Sequence, residues 1–173
     1  MHCDLVCPAD DPGFSLPFVN LGICPEAASS VLLPALAGYA RAAELLLFGE
    51  PFDARKAQEV GLVNHVLQAG EVLEFTGGRA RMLAQRPLSS LLETKRLMRA
   101  PLAARVARAI DDESATFMRM LKEPAAREAM AAFMQKRAPR DSCASPGPGY
   151  ARPAPGAGQG NLGGPGVSLW PWS

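Results

Sequence analysis

Apolar residues recur mostly at spacings of three and four, and alternation is brief. The chain therefore reads as chiefly helical with a few short extended pieces. His2-Cys3-Asp4-Leu5-Val6-Cys7-Pro8 reads as a short buried strand ended by proline, and Asp10-Asp11-Pro12-Gly13 as a turn. Phe14 to Pro17 is a second extended piece. Leu21-Gly22-Ile23-Cys24 leads into a helix expected to start at Pro25, with Glu26 in its first turn, and to break at Pro34 and Gly38. Ala40 to Phe48 is a helix closed by Gly49, and Asp53 caps a short helix ending at Gly61. Leu62 to Leu67 alternates as a strand. Glu71 to Gln85 reads as a helix despite Gly77-Gly78, each glycine costing about 1 kcal/mol relative to alanine. Pro87 starts a helix through Met98. Leu102, Val106, Ala109, Ile110, Ser114 and Phe117 then trace an apolar face, and Pro124 opens a last helix to Arg137 with Ala126, Met130, Phe133 and Met134 on one side.

Composition changes this picture only at the end of the chain. From Ala138 to Ser173 the sequence turns to proline, glycine, alanine and serine, too poor in large apolar residues to offset the entropy of ordering. The organisation expected is one domain over residues 1–137 and a disordered tail over 138–173.

An apolar fraction of 48% and a net charge of +1 give no electrostatic basis for nucleic-acid binding or a membrane-surface partner. The longest apolar runs, such as Leu45-Leu46-Leu47-Phe48, are far too short to cross a bilayer. No secretion signal or peroxisomal address is read, so a cytoplasmic protein is expected. Cys3, Cys7, Cys24 and Cys143 form no CxxC pair and only His2 and His65 are present; buried reduced thiols are expected and no metal site.

Few residues carry candidate chemistry. From spacing alone, Glu26 at a helix start contributes about 0.3–1 kcal/mol through the macrodipole and needs no catalytic role. His65 reads as a half-exposed strand residue, and Ser29 and Ser30 as helix packing with no histidine to activate them. Lys95, Arg96 and Arg99 suit either the phosphates of an anionic ligand or a solvated helix face.

Several spaced stretches, taken together, are more specific. CDLV resembles a core strand of the crotonase superfamily, the enoyl-CoA hydratases and isomerases. F-x-x-P-x-x-x-L-G followed by PEAASS resembles its turn and active-site helix. RAAELLLFGEPFDARKAQEVGLVNHV resembles the next helix pair and strand, and REAMAAFMQKR the C-terminal helix. The resemblance spans about residues 2–137. It implies an α/β fold, the C-terminal portion of the crotonase (ClpP-like spiral) fold, mostly helical here with a few short strands.

The resemblance also implies a chemistry. Family members bind an acyl-CoA thioester, stabilise its enolate with two backbone N–H groups, and move protons with carboxylates. Coenzyme A is then part of the substrate, and no separate cofactor is expected. Hydratases hold water with two glutamates; one would lie upstream of Met1 and the other falls at Phe18, whose ring cannot polarise water. Glu26 stands where Δ3,Δ2-enoyl-CoA isomerases carry the glutamate that takes a proton from C2 and returns it at C4, although Ala27-Ala28 replace a common glycine. A partly desolvated site would raise its pKa toward the working range. Phe18, Leu21 and Ile23 are the expected acyl-pocket residues.

By the same comparison, the oxyanion donors and the loop that grips coenzyme A would precede Met1. The chain is thus expected to be N-terminally truncated. The readings that follow are an isomerase-derived protein, an inactive fragment serving as an oligomerisation module, or a hydratase. A homo-oligomer built on trimers is the expected assembly.

Overall fold

Gly38 ends one helix and begins the next with φ 78° and ψ 156°, a backbone region open in practice only to glycine. The reversal it makes packs α1 (Ser29–Ala37) against α2 (Tyr39–Phe48) in the computed structural model, which describes residues 1–139. Leu33 and Ala37 from α1, Ala42, Leu45 and Leu46 from α2, and Val60 form the buried core. Met1, Leu16, Phe18, Phe52 and Leu62 pack around it. Leu33 is fully buried, and burial of such a side chain contributes about 1.5–3 kcal/mol.

The other helices are α3 (Ala54–Glu59), α4 (Val72–Ala84), α5 (Leu88–Met120) and α6 (Pro124–Met134), with 3-10 turns at Val19–Leu21 and Ala69–Glu71. Asp53 caps α3 as expected, its Oδ1 accepting from the Lys56 N–H at 2.7 Å. Gly49 closes α2 in the left-handed region, and Pro124 takes the first position of α6. α4 forms through Gly77-Gly78.

Both expected strands are replaced by extended chain with little pairing. Asn64 N–H donates to the Val6 carbonyl at 2.8 Å, Val6 N–H to the Asn64 side chain at 2.7 Å, and Leu67 N–H to the Pro8 carbonyl at 3.2 Å. Among the described residues, only Ala9 and Leu67 complete a parallel bridge. Cys3 and Leu5 are exposed rather than buried, because no second layer covers this edge among the described residues. Phe14 pairs antiparallel with Phe52 through two 2.8 Å hydrogen bonds, and their rings stack at 5.9 Å.

The helix boundaries also differ. Neither Pro34 nor Pro101 ends its helix. The carbonyls their rings displace belong to Ser30 and Leu97, both on exposed residues that water can reach. The two segments read after Pro87 are therefore one helix, α5, of 33 residues.

The inward stripe of α5 is Leu102, Val106, Ala109, Glu113 and Phe117, while Ile110 and Ser114 face outward. In α6 the buried residues are Ala126, Ala129 and Ala132. Met130, Phe133 and Met134 are substantially exposed, because small residues take the close-packed side.

No helix among the described residues is long and apolar enough to cross a membrane. The expected disordered tail, from 140 onward, lies outside the described residues.

Candidate active site

The 3-10 turn at Val19–Leu21 ends at Gly22, and the Ile23 N–H folds back to the Phe18 carbonyl at 3.0 Å. This turn aims residues 23–28 along the start of α1. Ile23 is buried, Phe18 packs on the core, Leu21 is half-buried, and Glu26 is exposed.

Helix α1 begins at Ser29, not Pro25. Ala27 and Ala28 both have φ of 57°, the left-handed region, which breaks the helix at the residues before Ser29. Such a conformation costs an alanine about 1–2 kcal/mol. Glu26 therefore lies in a loop ahead of the helix rather than in its first turn. Its carboxylate is open to solvent and has no hydrogen-bond or ion-pair partner among the described residues. The desolvation expected around it is not supplied by these residues.

The backbone on either side of Glu26 is held firmly. The Glu26 carbonyl accepts from Ser29 N–H at 3.0 Å and from Ser29 Oγ at 2.6 Å. Ser29, itself buried, thus acts in packing the helix start. His2 Nε2 donates to the Ala27 carbonyl at 2.7 Å. Glu113 reaches in from α5: its Oε2 accepts from Ala28 N–H at 2.6 Å and its Oε1 from Ser30 N–H at 3.0 Å. The first free N–H groups of α1 are thus capped by a carboxylate 85 positions from Ala28. With those donors engaged, the start of α1 is not itself an oxyanion hole.

Cys24 completes the arrangement, its Sγ donating to the Glu113 carbonyl at 3.6 Å. Burial pushes the Cys24 thiol up, and the negative charges of Glu113 and Glu26 add to this, so it stays a protonated donor.

Glu113 escaped the sequence reading because Asp111-Asp112-Glu113 looks like a solvated acidic run. One signal was present: Glu113 stands four residues after Ala109 and four before Phe117, inside an apolar stripe.

Lys95, Arg96 and Arg99 of α5 meet protein rather than an open anion site. Lys95 and Arg99 both pair with Asp4, the latter at 2.9 Å, and Arg99 also donates to the His2 carbonyl at 2.8 Å. Arg96 pairs with Glu93 at 2.8 Å. These contacts tether the first residues of the chain to α5.

His65 lies edge-on to Phe75 with ring centroids 5.0 Å apart. It lines a cavity of about 260 Å³ with Leu5, Cys7, Arg79, Met82, Leu83 and Arg86, bordered by none of the expected site residues.

The loop that presents Glu26 and the helices behind it match a known family. The family model described as enoyl-CoA hydratase/isomerase covers residues 1–141. The chain belongs to the enoyl-CoA hydratase/isomerase family.

A probable enoyl-CoA hydratase, echA8 of Mycobacterium leprae, is 31% identical over 81% of this chain and 54% of its own length. Enoyl-CoA delta isomerase 2 of Rattus norvegicus is 35% identical over 67% of this chain and 29% of its own. The crystal structure of an enoyl-CoA hydratase/isomerase from Pseudoalteromonas atlantica T6c superposes with a TM-score of 0.76 at 36% identity, over 80% of this chain and 56% of that one. The described residues therefore share the crotonase fold. The chain spans about half the length of the curated relatives it matches.

Proposed function

We propose that this chain carries the proton-transferring half of a Δ3,Δ2-enoyl-CoA isomerase, with Glu26 as the shuttle. The observation that carries the reading is an uncommitted, exposed carboxylate on a backbone pinned at both flanks. In the reaction Glu26 takes a proton from C2 of a 3-enoyl-CoA, giving a dienolate whose charge rests on the thioester oxygen. The protonated carboxyl then delivers the same proton to C4, and the double bond lies between C2 and C3. One carboxylate suffices because the base of the first step is the acid of the second. The oxyanion must be stabilised by donors other than Ala28 N–H and Ser30 N–H, which Glu113 holds.

Of Phe18, Leu21 and Ile23, half-buried Phe18 and Leu21 supply the acyl-chain contacts in this reading, while Ile23 is buried. Phe18 also argues against hydration, since its ring offers no acceptor for a catalytic water. A hydratase reading is favoured by the name of the M. leprae relative and opposed by that ring.

Exposed Leu88, Leu92, Leu97 and Met98 on α5, with Met130 and Met134 on α6, support a homo-oligomer, trimer-based in our reading. The free thiols of Cys3, Cys7 and Cys24 support a reducing, cytoplasmic setting.

The test is isomerisation of a 3-enoyl-CoA by the chain and by Glu26→Gln. Loss of about 10²-fold or more in the variant is expected, the usual scale for a general acid/base. Equal activity in both removes Glu26 from the mechanism. No activity in either favours the inert oligomerisation module. Hydration of a 2-enoyl-CoA as fast as isomerisation overturns the argument from Phe18.

A further inference from the structure

The loop that carries Glu26 contains two alanines in a conformation alanine disfavours, and one buried side chain holds it there. Ala28 is fully buried, so its N–H cannot turn to water and must find an acceptor in the protein. That acceptor is Glu113, which takes the Ser30 N–H with its other oxygen. The backbone carbonyl of the same residue receives the Cys24 thiol. Glu113 therefore grips the chain two residues before Glu26 and two residues after it. The Glu26 carboxylate, without a partner of its own among the described residues, takes its position from that backbone.

We propose that Glu113 is the positioning residue of Glu26, fixing the shuttle carboxylate through Ala28, Ser30 and Cys24 without touching substrate. The proposal rests on the reading of Glu26 as the proton shuttle. Proton transfer between C2 and C4 requires one carboxylate to reach both carbons, and a displacement of about 1 Å can cost 10²-fold in rate. Glutamine at 113 fits the same space but offers two donors and a single acceptor for two N–H groups. Aspartate is one methylene too short to reach both.

The experiment compares the wild-type chain, Glu113→Gln, Glu113→Ala and the double variant Glu113→Ala/Ala27→Gly. It reads amide exchange at Ala28 and Ser30, the 13C shifts of Ala27 and Ala28 that report the sign of φ, and isomerase kinetics. In Glu113→Ala we expect at least tenfold faster exchange at both amides and loss of the left-handed shifts. A fall in kcat of tenfold or more is expected, with KM within twofold. Glycine at exposed position 27 adopts the left-handed region without strain. The double variant should therefore recover several-fold of the lost kcat together with the left-handed shift at Ala28, a local signature that added global stability alone would not restore. Glu113→Gln should fall between, and it provides the same comparison if Glu113→Ala does not fold.

Unchanged exchange and shifts in a folded Glu113 variant overturn the proposal, as does an unchanged kcat in a chain whose Glu26→Gln variant is inactive. If wild-type and Glu26→Gln chains prove equally active, the shuttle reading has failed and the catalytic role of Glu113 falls with it. The exchange and shift data still decide separately whether Glu113 holds the loop.

Discussion

Gly22 faces Ala126 at the start of α6 with no space for a side chain: a Cβ on Gly22 would fall 2.8 Å from the Ala126 nitrogen. The last helix thereby closes on the turn that leads to Glu26. Gly22 also has φ of 67°, so Gly22→Ala meets both backbone strain and a backbone clash. Destabilisation of about 2–3 kcal/mol is expected, from roughly 1 kcal/mol of strain and 1–2 of overpacking. Urea unfolding measures it, and a loss below about 0.5 kcal/mol would show that α6 moves aside freely.

Ala27 presents the opposite case. Its φ is also in the left-handed region, but it is exposed and loses no packing on truncation. Ala27→Gly should therefore raise stability by up to about 1 kcal/mol, the conformational penalty relieved less the entropy glycine adds to the unfolded chain. A lower Tm for this variant would contradict the backbone conformation described.

Asp53 caps α3 through a single 2.7 Å bond to the Lys56 N–H. Removal of such an acceptor typically costs about 1 kcal/mol. We expect Asp53→Ala to lose that amount in denaturant unfolding and Asp53→Ser to lose less. Equal losses in the two variants would mean that the carboxylate contributes by something other than capping.

Asp4 makes the stability of the N-terminal segment depend on pH. The hydrogen bond from Lys95 holds its carboxyl below the ordinary value of 3.8, and the charge of Arg99 adds to this. A folded pKa that is depressed means that the contribution is fully present above the unfolded value. It is lost as pH falls through the folded pKa. Attachment of residues 1–8 to α5 should therefore weaken only below about pH 4, and should weaken with added salt because the pair is exposed. Asp4→Asn should abolish this acid and salt dependence. Limited proteolysis near the N-terminus across pH 2–6 reads it, and identical profiles for both chains would refute it.

Helix signals encoded within a few residues were legible directly. Asp53, Gly49 and Pro124 mark ends that depend on one capping bond or one fixed dihedral, so α3, the end of α2 and the start of α6 lie where expected. Pairing with distant chain was not legible. Cys3 to Pro8 and Leu62 to Leu67 have strand-like patterns, but a strand exists only where a second chain accepts its hydrogen bonds, and here one bridge forms. Phe18, Leu21 and Ile23 were recognisable as apolar, yet only packing distinguishes buried Ile23 from half-buried Leu21.

By itself the sequence determined the family, the helical character and the presence of Glu26 after Pro25, because these rest on residue types at fixed spacings. Tertiary structure alone decided how Glu26 is held. Alanines 27 and 28 have no local preference for the left-handed region, and their conformation persists because a carboxylate from α5 accepts the N–H groups that a helix start leaves free. That contact joins residues 28 and 113, and no local pattern encodes it.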